Sequence, residues 1–434
     1  MGSPVVIAAA TVCALLVGLQ VAADRAGFQG PLHSLVSDYL ATPKSATLPW
    51  AGLALAMVGL TAWHRLVALS IAAGLDVVLF AERVWRGGPL AVGNGPLIVL
   101  TGLAVLAWLR WSGVQRADAL RSIGWGALLI VASKAGDTWL QISAVARPMV
   151  LDEYVMVADH AFAQPSWLMG RVIEMAGAIP YHVLHWVYIE LPVAAIAVAV
   201  YQLRDVTARG WPRHHLVRTF LVLGLVGPLI YLLFPVVGPV FAFGTDWPGF
   251  QLSHYRPHAL SFVDLAPRPV RFDGVTPRNC MPSMHTAWAL AVCIHARACP
   301  PWMRWGGVCW LAGTVAATLG FGYHYGADLV AGAVLCLTVE AALRNPQLGW
   351  NPTRIRLVVT GTALLATLLL CFRFLAVPMA RLPLLFGPLL VGGLVLYAVA
   401  FVARSRPASV KVVSRPASSV ILAAPSARST GQHT

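Results

Sequence analysis

Two short motifs in the C-terminal half carry residue types able to do chemistry. The first is Pro282-Ser283-Met284-His285, preceded by Arg278-Asn279 and followed by an apolar run. Proline is pre-organised for a helix start, and Asn279 or Ser283 can cap it. The free N–H groups of such a terminus bind phosphate, and His285 falls in the first turn beside them. The second motif is His324-x-x-x-Asp328-x-x-x-Gly332. On a helix, the i, i+4 spacing stacks His324 and Asp328 on one face, so the carboxylate can hold one imidazole nitrogen and leave the other to a substrate. That arrangement activates a histidine as nucleophile. Gly332, one turn further along, lets a neighbouring helix approach closely. Each motif has a bland alternative: an interfacial histidine for the first, a buried His–Asp pair tying two helices for the second.

The surrounding chain says what must position these groups. Of 434 residues, 58% are hydrophobic and 11% charged, far below the quarter usual in soluble domains, so lipid is the expected solvent. The net charge of +14 lies between apolar runs, as in loops at a membrane surface, which argues against nucleic acid. Seven cysteines form no Cys-x-x-Cys pair, and neither a disulfide framework nor a zinc site is expected. Residues 4–23 lack a basic leader and read as an uncleaved helix.

About twelve segments are candidate transmembrane helices: 4–23, 47–63, 66–82, 95–110, 122–146, 180–202, 217–242, 283–299, 302–321, 324–343, 356–379 and 382–403, of which the second to fourth are short, so that ten or eleven is the alternative count. With the basic tail in the cytoplasm, alternation places 18 Lys and Arg inside and 11 outside, the bias expected of a cytoplasmic face. One helix then separates His285 from His324, so both histidines open helices on the same outer face. Above them lies a loop carrying Arg256, Arg268, Arg271 and Arg278. Two long connections, 147–179 and 243–282, lie on that side, and the first, with Asp152, Glu153 and Asp159, reads as interfacial or re-entrant. Lys134 and Asp137, at i, i+3, are expected to form a buried ion pair.

With both motifs on one face, the sequence resembles the type 2 phosphatidic acid phosphatase superfamily. Pro282-Ser283-x-His285 and His324-x-x-x-Asp328-x-x-x-Gly332 look like its second and third signature motifs. The resemblance implies an all-α integral membrane enzyme with a six-helix core at 122–343. It implies attack on phosphorus by His324, orientation by Asp328 and leaving-group protonation by His285, with phosphate contacts from Ser283 and no metal or other cofactor. Outside the core lie N-terminal helices (1–121), two C-terminal helices (344–403) and a disordered basic tail (404–434).

The pattern departs from the phosphatase branch in two places. Ala317 and Thr318 stand where that branch has Ser-Arg, and its first motif, Lys-x6-Arg-Pro, is absent. Phe234-Pro235-Val236-Val237-Gly238-Pro239 together with Asn279-x-Met281-Pro282-Ser283 is more similar to the inositol phosphorylceramide synthase-like branch, which transfers phosphorylated head groups between lipids. The expectation is an inositolphosphotransferase-like enzyme of the plasma (inner) membrane, its site extracytoplasmic, with a lipid phosphate donor and a lipid or polyol acceptor. Arg278 is the expected phosphate-binding cation, with Arg271 next. The alternatives are a lipid phosphate or polyprenyl diphosphate phosphatase, and a non-enzymatic transporter or scaffold. The paired broken helices of transporters are not visible in the sequence.

Overall fold

The computed structural model describes residues 4–243, 265–270 and 278–405. Arg256, Arg271 and the basic tail from residue 406 onward lie outside them. Each of the twelve apolar segments contains helix, though several are interrupted or cut short. The N-terminal group is α1 (Pro4–Ala26), α2 (Pro31–Leu40), α3 (Thr47–Met57), α4 (Ala62–Trp85), α5 (Asn94–Arg110) and α6 (Gly113–Ala146). A connecting stretch follows, with α7 (Asp152–Ala158), a tight turn at Asp159–Phe162, and α8 (Pro165–Ala176). Then come α9 (Ala178–Ile189), α10 (Leu191–Leu203), α11 (Val206–Arg209), α12 (Leu216–Leu233) and α13 (Pro239–Phe243). The C-terminal half holds α14 (Met284–Ala296), α15 (Pro301–Gly320), α16 (Gly326–Leu343), α17 (Pro352–Phe374), α18 (Ala376–Arg381) and α19 (Pro383–Ser405).

Among the described residues, five helical stretches are long and apolar enough to cross a membrane: Leu191–Arg209, Leu216–Leu233, Gly326–Leu343, Pro352–Phe374 and Pro383–Arg404. A sixth results if α1 and α2, bent by 93°, count as one span. The difference from twelve has local causes. α3 and α14 have 11 and 13 residues, about 17 and 20 Å at the helical rise, against a hydrocarbon core of about 30 Å. The segment 180–202 breaks at Glu190, before Pro192, and α12 stops at Leu233 because Pro235 follows. α4 and α6 are long enough but carry several charges.

α16 is the axis of the C-terminal bundle, with 78% of its apolar stretch buried against α12, α14, α17 and α19. It meets the start of α14 at Gly332, where a β-carbon would stand 2.3 Å from the Ser283 carbonyl oxygen. The close approach expected of Gly332 is therefore to main chain. At the other end of the same two helices, Glu340 accepts from His295 at 2.9 Å, from His214 at 3.1 Å and from Thr219 at 2.6 Å. The outer faces of α17 and α19 expose Phe374, Leu384 and Leu396, as expected of surfaces meeting lipid.

The N-terminal helices bury a separate apolar core around Leu53, Leu97 and Ile123, and α6 packs on both this group and α12. Lys134 pairs with Asp38 of α2 and not with Asp137. Both partners are buried, so a charge on one helix had to be met from another.

Candidate active site

The first motif builds the start of α14. Ser283 is the N-cap: its backbone is extended, and its buried Oγ accepts from Thr286 N at 3.3 Å and Thr286 Oγ1 at 3.0 Å. His285 is the second helical residue, and its ring stacks on Tyr188 of α9 with centroids 4.0 Å apart. Ser283 N donates to the Asp328 carbonyl at 3.0 Å, joining the starts of α14 and α16 directly.

The second motif is arranged differently from the helical stacking expected of it. α16 begins at Gly326 with Tyr325 as N-cap, so His324 precedes the helix. Asp328, in the first turn, folds back so that Oδ2 accepts from Tyr325 N at 2.7 Å. The same oxygen stands 3.4 Å from His324 Nδ1. The pair is thus made by a capping carboxylate reaching backwards. Both side chains are buried, with Nδ1 occupied and Nε2 left as the second ring nitrogen. The rings of His285 and His324 lie 6.5 Å apart at an interplanar angle of 64°. The structure therefore brings His285, His324, Asp328 and Ser283 together at one end of the bundle.

Several residues around the pair were not singled out for the site. Cys280 places Sγ 2.6 Å from Asp328 Oδ2 and 3.3 Å from His324 Nδ1. Ser166 Oγ donates to the His324 carbonyl at 2.5 Å, and Ala327 N donates to Asp159 Oδ1 at 3.0 Å. Asp152 accepts from the Tyr325 hydroxyl at 2.9 Å, from Gly238 N at 2.9 Å and from Val237 N at 3.1 Å. The connection at 147–179 therefore fastens the start of α16, with Asp159 on Ala327 N, Asp152 on the Tyr325 hydroxyl and Ser166 on the His324 carbonyl. Its unusual polarity was the available signal. Burial pushes the Asp152 carboxyl up to about 7 and that of Asp159 up to about 8.

Of the loop arginines, Arg278 and Arg268 lie among the described residues, and both are held by protein groups. Arg278 is fully buried, and its guanidinium donates to the carbonyls of Arg147, at 3.4 Å, and Val270. It braces the antiparallel pair of β1 (Met149–Val150) with β2 (Arg268–Pro269), which ties the two outer connections together. Arg268 pairs with Glu153. Ala317 and Thr318 are fully buried, and Ala317 packs in an apolar cluster with Ile173 and Phe321. The place where the phosphatase branch carries an arginine is filled by small side chains.

The class defined by this fold and site is a helical membrane protein whose core joins two histidines and a carboxylate at one end. Residues 153–342 match the PAP2 superfamily, which supports the type 2 phosphatidic acid phosphatase superfamily and suggests an enzyme with lipid phosphatase or phosphotransferase activity. Residues 4–142 match a domain of unknown function (DUF5933). No curated protein and no solved structure matches the chain.

Proposed function

We propose that the protein transfers a phosphorylated head group between lipids, or from a lipid to a polyol, through a phosphohistidine intermediate. The observation that carries this reading is the placement of His285 6.5 Å from a His324 whose Nδ1 faces Asp328. With Nδ1–H directed at the carboxylate, the Nε2 lone pair attacks phosphorus. The N–P bond forms as the P–O bond to the leaving group breaks, and His285 gives that oxygen its proton. In the second half, His285 takes a proton from the acceptor hydroxyl, whose oxygen displaces Nε2 from phosphorus. Asp328 stabilises the imidazolium character of His324 throughout. The Ser283 hydroxyl, the N–H groups at the start of α14, and Arg271 hold the phosphate oxygens. The cycle needs no metal, because side chains supply the nucleophile and both proton transfers.

Transfer is favoured over hydrolysis by the buried Ala317-Thr318 pair, which departs from the phosphatase pattern, and by the aromatic wall of Tyr188, Tyr323 and Phe321 beside His285. The reading includes a six-helix core over 122–343 and a site on the outer face of the plasma (inner) membrane. Its test is incubation of purified protein with head-group-labelled phospholipids and polyprenyl phosphates, with and without inositol. Label moving to the added acceptor supports transfer; release only as free phosphate or phosphorylated head group supports the phosphatase alternative. Turnover of none of these esters would overturn both.

A further inference from the structure

Cys280, His324 and Asp328 form a tighter group than the nucleophile–orienter pair requires. Sγ lies 2.6 Å from Asp328 Oδ2, Sγ lies 3.3 Å from His324 Nδ1, and Nδ1 lies 3.4 Å from Oδ2. All three residues are buried. The other carboxylate oxygen, Asp328 Oδ1, is buried with no hydrogen-bond partner among the described residues. An orphaned carboxylate oxygen is costly, and a cation held by both oxygens of Asp328 would satisfy it. The second His-rich group differs in this respect, because both oxygens of Glu340 already accept hydrogen bonds. The carboxylate of that group is satisfied without a metal.

The donor set identifies the cation. Thiolate, imidazole and carboxylate together suit zinc, whereas magnesium and calcium take oxygen ligands. Zinc bonds to these atoms run about 2.0–2.3 Å, which sets tetrahedral donors about 3–4 Å apart. Two edges of the triangle meet that spacing, and the sulfur–oxygen edge, at 2.6 Å, must open by about 1 Å. We propose that Cys280, His324 and Asp328 form an inhibitory zinc site, a reading that rests on His324 being the nucleophile.

The inhibition follows from the tautomer. Without metal, Nδ1 carries the proton and Nε2 keeps the lone pair that attacks phosphorus. Zinc takes the Nδ1 lone pair, so the ring proton must reside on Nε2, which is then a donor and no longer a nucleophile. The Cys280 S–H bond breaks as the S–Zn bond forms, and its proton goes to water. One proton is released for each zinc bound, with no change of oxidation state. Zinc therefore silences His324 without occupying the substrate's place.

The experiment uses full-length protein in detergent, freed of metal with EDTA and titrated with Co²⁺ and then Zn²⁺. Wild-type protein should develop a near-ultraviolet thiolate–cobalt absorption that zinc displaces, and Cys280→Ser should lack it and bind zinc more than about tenfold more weakly. The ratio of rates with and without zinc on a phosphate ester should fall steeply for wild type and stay near one for Cys280→Ser, whatever that variant's basal rate. An absent band in wild type, a band that persists in Cys280→Ser, or zinc binding with an unchanged rate would overturn the proposal. So would restoration by zinc of a rate lost on EDTA treatment, because the metal would then be catalytic. A Cys280-dependent band in a protein inert towards every phosphate ester would keep the zinc site and refute the functional reading instead.

Discussion

Gly332→Ala tests whether the contact between α14 and α16 sets the geometry of the site. The added β-carbon would lie 2.3 Å from the Ser283 carbonyl oxygen, where ordinary contact begins near 3.4 Å. Neither atom belongs to a flexible side chain, so the two helix starts must separate by about 1 Å. Ser283 caps the helix that carries His285, and its N–H holds the Asp328 carbonyl at 3.0 Å. The displacement therefore falls between His285 and His324, the proposed general acid and nucleophile. A misplacement of that size costs about 10²-fold in rate, and overpacking costs about 1–3 kcal/mol in stability. Gly136→Ala is the control, because nothing lies within 4 Å of a β-carbon there. It should leave the rate unchanged and raise stability slightly, since alanine is the better helix former. The assay is initial rate on a nitrophenyl phosphate ester, with size-exclusion profile and thermal midpoint in detergent. A folded Gly332→Ala protein as active as wild type would refute the argument that this close approach positions the two histidines.

Three further outcomes are expected. His324→Ala should lose all turnover on lipid esters and on nitrophenyl phosphate alike, whereas His285→Ala should recover on the activated substrate, because general acid catalysis worth about 10²–10⁴-fold matters little for a good leaving group; Asp328→Asn should fall between them, and equal losses for all three on both substrates would contradict the roles. Burial raises the Asp159 carboxyl from 3.8 to about 8, so the folded state binds more protons than the unfolded chain between those values; its contribution to stability is present at low pH and lost as pH rises through about 8, and the fall in thermal midpoint from pH 6 to pH 9 should be smaller in Asp159→Asn. In a background lacking exposed cysteines, a membrane-impermeant thiol label should reach Pro269→Cys from outside intact cells and Trp350→Cys only after the cytoplasmic face is opened, and the reverse pattern would move the site to the inner leaflet.

What the sequence determined by itself was set by local rules. Ser283 before an apolar run marks a helix start, Gly332 marks a close approach, and both appear where spacing placed them. The pairing of His324 with Asp328 was legible too, although through the wrong geometry. A helical face and a capping carboxylate both bring i and i+4 together, and spacing cannot distinguish them. The tertiary structure decided which polar groups share buried space. Lys134 found Asp38, not Asp137 one turn away, and Arg278 was drawn to main-chain carbonyls. Asp152 reaches the Tyr325 hydroxyl, and Asp159 and Ser166 the backbone around His324, across more than 150 residues, and Cys280 reaches Asp328 across 48. No periodicity relates such partners. They meet because a buried donor or acceptor must be satisfied by whatever the fold brings beside it, and only the packing of α7, α14 and α16 settles what that is.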